Sequence, residues 1–528
     1  MATSTRKSGP SASQTESMTT GRQGNDNSGA GDHEASIDGV EIHENAHRAA
    51  EENREKYFGS VPRFDPKAEG RLRRKIDLHV VPTVAILYLF CFIDRANFGN
   101  ARIAGLEKEL GLTGNNYNEI ISLFYVSYTV CLVFTSPLCK RVGPGWFLPV
   151  ATILFGVTSL ATGWVHNYAQ LAGTRFLLGV FEAGMLPGIA YYLSRWYRRA
   201  ELALRLALYI VTAPLAGAFG GLLASAILNL DSFAGLRRWR MIFAIEGIIT
   251  IGLGVVALFT LTDRPETARW LSPEEKELSI ARVKSERVGQ TVVLDKMDTT
   301  KLKRGILNPV TLSTAFVFLL NNVTVQGLAF FLPTIVKSIF SSRTLVQQQL
   351  LTAPPYILGV FCMLPFPYMS WKLDRRQVFI ILSAPLVMIG YCMFLASDTA
   401  SVRYAATFLI AMSTYSNGAM CNAQVSANVV SDTARSAAIG TNVMMGNIGG
   451  LISSWAFLPW DGPDYHIGNG LNLATAGGIL VVGVLTNLWM NWDNRRRVGR
   501  NVEAELLGRT EQEIEDLDWK HPAFRWRP

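Results

Sequence analysis

Residues 78–97 read LHVVPTVAILYLFCFIDRAN. The run from Val80 to Ile93 carries no charge, and at about 1.5 Å per helical residue the window is long enough to cross the roughly 30 Å hydrocarbon core of a bilayer. A surface helix of a soluble protein would interrupt such a run with a polar face every few residues. The window therefore reads as a membrane span, and it ends on two charges, Asp94 and Arg95.

Working outward, uncharged or nearly uncharged windows recur at roughly 117–137, 146–164, 168–193, 204–229, 240–262, 309–336, 350–371, 377–397, 402–425, 435–458 and 471–492. Together with 78–97 they predict an all-α membrane protein with twelve transmembrane helices. Composition agrees, since 49 % of the 528 residues are hydrophobic and 17 % charged, with a mean hydropathy of +0.19. Soluble enzymes, nucleic-acid binders and secreted disulfide scaffolds are excluded. The net charge of +8 is spread beside the apolar spans, where it suits an anionic leaflet better than a nucleic acid. Cys91, Cys131, Cys139, Cys362, Cys392 and Cys421 lie in or beside spans without paired spacing, as buried thiols do.

Residues 1–70 contain no Leu and only six residues from Ile, Val and Phe, too little to build a core, and are expected to form a disordered cytoplasmic tail. Arg71, Arg73, Arg74 and Lys75 precede the first span and favour a cytoplasmic N-terminus. The polar segment 263–308 separates an N-terminal six-helix half, 71–262, from a C-terminal half, 309–493, and is expected to be a cytoplasmic linker. Ser272, Pro273, Glu274 and Glu275 predict the start of an amphipathic helix within it. Residues 494–528 are charged and end in a polar stretch, which predicts a cytoplasmic tail, helical in part or disordered.

An internal echo supports the division into halves. FEAG at 181–184 followed by GAFGG at 217–221 is matched by YSNG at 415–418 followed by GNIGG at 446–450. Both glycine pairs have the four-residue spacing that lets backbones approach closely within a bilayer. Two such repeats are what a transporter with a central site between halves requires.

Few ionisable residues lie in the spans, and each must have a partner, a watery cavity or a function. Asp94 and Arg95 lie in the first span, Arg175 and Glu182 in the fourth, and Glu246 in the sixth. Arg175 and Glu182 are two helical turns apart and project from one face. One reading of Asp94, Arg95, Arg175 and Glu182 is a pair of salt bridges that holds the first half together. The other starts from their zero net charge: a carboxylate substrate adds one negative charge, and protonating an acid restores neutrality, so anion and proton bind together. In that reading Asp94 and Glu182 couple protons, while Arg95 and Arg175 offer planar forks to a carboxylate. Glu246 is expected to pair with a basic residue of the outer loops, with a transport role as the alternative, and Asn97 and Asn100 either line the outer mouth or cap the first helix.

The second half offers uncharged polar groups, of which Asn321, Asn322, Tyr415 and Asn417 lie nearest the predicted midplane and are candidate substrate contacts. Such amides also serve as interhelical glue. Pro187, Pro214, Pro354 and Pro355 fall inside spans as hinges or packing bends. None of the seven histidines falls in the middle of a span, and no phosphate-binding loop is present, so an enzyme, a metal site, a cofactor or an ATP-driven pump is not expected.

Several strings resemble the fungal allantoate/nicotinate permease branch of the major facilitator superfamily, within the wider anion:cation symporter family. They are Arg74-Lys75-Ile76-Asp77 with Val81-Pro82, FIDRANFGNARIAGL at 92–106, RFLLGVFEAGMLPG at 175–188, WRMIFAIEG at 239–247 and RPETARWL at 264–271. The resemblance spans roughly 72–500. It implies a twelve-helix major facilitator fold working by alternating access, with the Asp-Arg pair of the first helix (Asp94, Arg95) and the Arg and Glu of the fourth (Arg175, Glu182) coupling protons and binding the anion. The stretch SPLCKRVG at 136–143 lacks the acidic residue found in many members, although Asp374 stands after the eighth helix. The expected partners are a small carboxylate, protons and the lipid bilayer, in a monomer of the plasma membrane. Export of an acidic metabolite and nutrient sensing by a transporter-like receptor are the competing functions.

Overall fold

The computed structural model describes residues 65–285, 299–498 except 364, and 502–528 apart from 509, 511–512 and 515–516. Most of the expected N-terminal tail and the middle of the linker lie outside the described residues.

Among the described residues all regular structure is helical. The first half contains α1 (Pro66–Ile103), α2 (Leu106–Glu109), α3 (Asn116–Val142), α4 (Pro144–Thr162), α5 (Tyr168–Glu182), α6 (Met185–Trp196), α7 (Arg199–Ile210), α8 (Thr212–Leu228) and α9 (Trp239–Thr260). The linker contributes α10 (Pro273–Ser285) and α11 (Thr299–Ile306). The second half follows with α12 (Pro309–Ile339), α13 (Leu345–Leu350), α14 (Ala353–Met363), α15 (Pro365–Lys372), α16 (Arg376–Ala396), α17 (Ala400–Ala427), α18 (Asp432–Ser453) and α19 (His466–Val498). Among the described residues, ten stretches are long and apolar enough to cross a membrane. The helices α17 and α18, at the expected tenth and eleventh spans, have spanning length but are more polar, because their inner faces carry Ser, Thr and Asn.

Two expected spans are interrupted, and a third starts after a break. The fourth divides at Ala183-Gly184 and the fifth at Val211, and the eighth is preceded by the separate short helix α13. Pro187, Pro214, Pro354 and Pro355 each fall in the first turn after such a break. A missing N–H costs nothing there, whereas the same prolines in a helix interior would remove a backbone hydrogen bond.

The halves are built alike. In the first, α1 packs on α8, α3 on α5 and α4 on α9; in the second, α12 packs on α18, α14 on α17 and α16 on α19. Between the halves α1 meets α12, α3 meets α18, and α8 meets α13 and α14. These contacts cluster at the end of the bundle away from the linker. There Asn118 Nδ2 donates to the Phe457 carbonyl at 3.4 Å, Gln349 Nε2 donates to the Asn100 carbonyl at 3.2 Å, and Gly217 lies against the Tyr356 ring. The backbone of Gly99 touches that of Phe330, leaving no room for a side chain.

At the linker end, Ser272 and Glu275 cap α10 reciprocally, the Ser272 hydroxyl accepting from the Glu275 N–H at 3.2 Å and the Glu275 carboxylate from the Ser272 N–H at 2.9 Å. Lys75 of α1 reaches Glu275 at 2.6 Å, and buried Arg282 reaches Glu69 at 2.9 Å and Glu201 at 2.7 Å, fixing α10 to the first half. The C-terminal stretch differs from the polar tail expected of it: α19 runs past residue 494 to Val498, and the chain beyond returns to the bundle. Trp526 is buried with Val310 and Met490, and Asp518 accepts from the N–H groups of Val430 and Ser431 at 3.2 and 3.0 Å, just before α18. The aromatic residues Trp519, Phe524 and Trp526 supply the apolar area that the charged composition hides.

Candidate functional site

The ionisable residues of the first half meet between α1, α4, α5 and α9. Arg95 lies 2.8 Å from Glu182, and Arg175 Nη1 lies 3.4 Å from Asp94 Oδ2. Thus α1 and α5 exchange partners, each giving one acid and one arginine. All four side chains are almost wholly buried. Glu182 is the last residue of α5, so the helix break sets its carboxylate at the level of Arg95, and Gly184 follows because the Phe147 ring occupies the space of a side chain.

Each pair has its own surroundings. The Arg95 guanidinium lies among the rings of Phe92, Phe124 and Tyr128, 4.9, 5.1 and 5.1 Å from their centroids. Its Nε donates to the same Glu182 oxygen that Nη2 approaches, leaving Glu182 Oε1 without a partner among the described residues. Arg175 is held between the rings of Phe98 and Phe243, 4.5 and 4.8 Å away. Asp94 accepts from Ser159 Oγ at 2.6 Å. Arg175 uses only Nη1 on Asp94, and its buried Nε and Nη2 have no protein acceptor among the described residues. A planar, permanently charged group with unused parallel donors is the chemistry that takes a carboxylate in bidentate geometry.

Glu246 departs from the expected pairing with an outer basic residue. Its Oε2 accepts from Asn97 Nδ2 at 2.6 Å, and Asn97 in turn accepts from Asn100 Nδ2 at 2.8 Å. The nearby Arg240 is engaged by Glu109 at 2.7 Å and by the Gly163 carbonyl at 2.9 Å. Partial burial pushes the Glu109 carboxyl up, but hydrogen bonds from Arg240 and Trp239 outweigh it and hold that group below the usual carboxylate range. Asn97 and Asn100 are buried members of this chain of amides. Ser159 is a site residue that the sequence did not signal, since a serine on an apolar helix has no distinguishing neighbours.

In the second half, Asn417 Nδ2 donates to Asn321 Oδ1 at 3.2 Å, and Asn321 Nδ2 donates to the Thr414 carbonyl at 3.2 Å. Asn322 donates to the Phe318 carbonyl of its own helix at 2.8 Å. Tyr415 packs beside Tyr356, ring centroids 6.1 Å apart. Asn321 and Asn417 are thus brought together, while Asn322 and Tyr415 have separate neighbours.

Two like-built helical halves with a buried charged cluster beside their contact define a multi-pass membrane carrier. The sequence profile of the Major Facilitator Superfamily matches residues 84–454, and the chain belongs to that family. It is 32 % identical over 472 residues to an uncharacterized transporter of Schizosaccharomyces pombe, covering 88 % of this chain and 91 % of that one. It is 30 % identical over 466 residues to the high-affinity nicotinic acid transporter of Saccharomyces cerevisiae, covering 88 % and 86 %. An MFS-type transporter of Penicillium expansum is 30 % identical over 480 residues, covering 88 % and 91 %. The fold matches the crystal structure of a bacterial homologue of the human lysosomal transporter Spinster, inward-facing and unoccupied, with a TM-score of 0.59 at 14 % identity over 76 % of this chain and 94 % of that one. The protein is therefore a membrane transporter of this superfamily.

Proposed function

We propose that the protein carries a small organic anion, a carboxylate, together with protons across the plasma membrane, with both termini and the linker in the cytoplasm. The observation that carries this reading is Arg175, buried yet with two donor nitrogens that no group among the described residues accepts from. A carboxylate reaching those nitrogens adds one negative charge to the pairs Asp94–Arg175 and Arg95–Glu182, and a proton taken by Asp94 or Glu182 cancels it. Arg95 supports the anion through the same network, and Asn321, Asn322, Tyr415 and Asn417 supply polar contacts from the opposite half. The name of the yeast nicotinic acid transporter supports a carboxylate as the substrate class. With the linker in the cytoplasm, the contacts between the halves seal the outer end, as in an inward-open carrier.

The test is reconstitution into liposomes with recording of lumenal pH while nicotinate and a panel of other mono- and dicarboxylates are added. Substrate-dependent acidification is expected in the wild-type protein and not in Glu182→Gln. Anion exchange of equal rate in both, with no proton movement in either, would sink proton coupling and leave the two ion pairs as structural bridges.

A further inference from the structure

Three carboxyl groups and two guanidinium groups share the buried cluster. Asp94 is matched by Arg175 and Glu182 by Arg95, which leaves Glu246 over. Glu246 is fully buried, and among the described residues its Oε2 is bound by Asn97 alone and its Oε1 has no partner.

Among the described residues, the elements around it supply no further unpaired cation near this site, since Arg102 of α1 is paired with Glu107 at 2.8 Å. Helix α4 contains no ionisable residue and brings Ser159, which is given to Asp94. Helix α8 contains none either. Helix α1 brings Asp94, Arg95 and the amides of Asn97 and Asn100. From α5, Arg175 reaches the Phe243 ring beside Glu246, but its one protein hydrogen bond goes to Asp94. On α9 itself, Arg240 is bound by Glu109 and the Gly163 carbonyl. A carboxyl group enclosed in this way, with one amide donor and an adjacent aspartate, is neutralised by a proton more readily than it is held as an isolated charge.

We propose that Glu246 is a proton-binding site distinct from the two ion pairs, and that it must hold its proton for the anion to bind. Protonated, it leaves the five-residue cluster neutral. The Asn97 amide then donates to the acid's carbonyl oxygen, and the direction of that amide is fixed because Asn100 occupies the Asn97 carbonyl. Ionised, Glu246 makes the cluster negative before any substrate arrives and repels a carboxylate from Arg175. This inference rests on the anion reading above, but it assigns Glu246 the pH range of uptake and leaves the proton moved with each anion to Asp94 and Glu182.

Two measurements test it. Infrared spectra of purified protein at neutral pH should show the C=O stretch of a protonated carboxyl group, shifted in D2O, lost in Glu246→Gln and retained in Glu182→Gln. A wild-type spectrum without that band overturns the proposal, as does a Glu246→Gln spectrum that keeps it. In proteoliposomes given nicotinate or whichever carboxylate of the panel is taken up, Glu246→Gln should extend uptake to alkaline pH, with at least tenfold more transport than wild type where the wild type has fallen off. Thermal melting confirms that the variant is folded, and the wild-type infrared band decides the matter if it is not. Proton-coupled uptake with identical pH profiles in both proteins refutes the role of Glu246 and spares the earlier reading. The absence of any proton-coupled anion uptake refutes the earlier reading, and with it the repulsion argued here, while the infrared result stands alone.

Discussion

The contact between α8 and α14 makes the closed end of the bundle sensitive to a single methyl group. A Cβ added at Gly217 would lie 2.6 Å from ring atoms of Tyr356, and that ring is anchored by its hydroxyl donating to the Leu328 carbonyl at 2.9 Å. Neither side can yield by a simple rotamer change, so Gly217→Ala should cost about 1–3 kcal/mol in the state with this end closed. The same methyl group costs nothing once the halves part here, and the gain in helix propensity from alanine is common to both states. The ratio of closed to open should therefore fall by about 5–150-fold. Spin labels on exposed Lys108 and Ser342, which lie on opposite halves at this end, would report the change by pulsed electron paramagnetic resonance as growth of a longer-distance population. An unchanged distance distribution in a folded variant would refute the idea that the glycine contact holds this end shut.

Two further outcomes follow from contacts at the other end. The Lys75 ammonium and the Ser272 N–H beside Glu275 hold its carboxyl below the usual carboxylate range. The stability this gives α10 is present above that range and is lost as pH falls through the lowered value, so the protection of 273–285 against hydrogen exchange, relative to the intrinsic rate at each pH, should fall on acidification in the wild type and depend less on pH in Glu275→Gln. Trp526→Ala removes a buried ring from between Val310 and Met490 and should destabilise the second half by about 3–5 kcal/mol, read as a lower melting temperature in detergent; an unchanged melt would show that the C-terminal stretch adds no stability.

Much of this architecture is legible in the sequence because a bilayer simplifies the signal. An apolar run such as 78–97 has few alternatives, and the scarcity of charge in the spans makes Asp94, Arg95, Arg175, Glu182 and Glu246 stand out. What periodicity cannot supply is which helix faces which. Arg175 and Glu182 share a face, but their partners on α1 were set by the tertiary packing of the first half, where Glu246 meets Asn97 and Arg240 meets Glu109. The breaks at Ala183-Gly184 and Val211 lie within continuous apolar windows, where Pro187 and Pro214 signal a bend but not the residue at which the helix ends. The docked C-terminus was missed for a different reason: Trp519, Phe524 and Trp526 lie among charges, and three aromatic residues bury enough area to override the average composition around them.

The arrangement of the charges bears on how such a carrier can move at all. The ion pairs Arg95–Glu182 and Arg175–Asp94, and the hydrogen bonds of Ser159 and Asn97, all lie within the first half. A rigid-body rocking of one half against the other leaves every one of them intact, so none of these four charges loses its partner during the motion, a loss that would be costly in low dielectric. The contacts that must break instead are glycine and ring contacts such as Gly99 on Phe330 and Gly217 on Tyr356, joined by a few neutral hydrogen bonds, including Gln349 to the Asn100 carbonyl. Neutral bonds of this kind contribute about 1 kcal/mol each and are readily exchanged for water. Asn100 belongs to both sets: its carbonyl meets the second half while its side chain supports the Asn97–Glu246 contact. Separation of the halves at this end would therefore bring water to the amide chain that leads to Glu246, giving that carboxyl group access to the solution on this side.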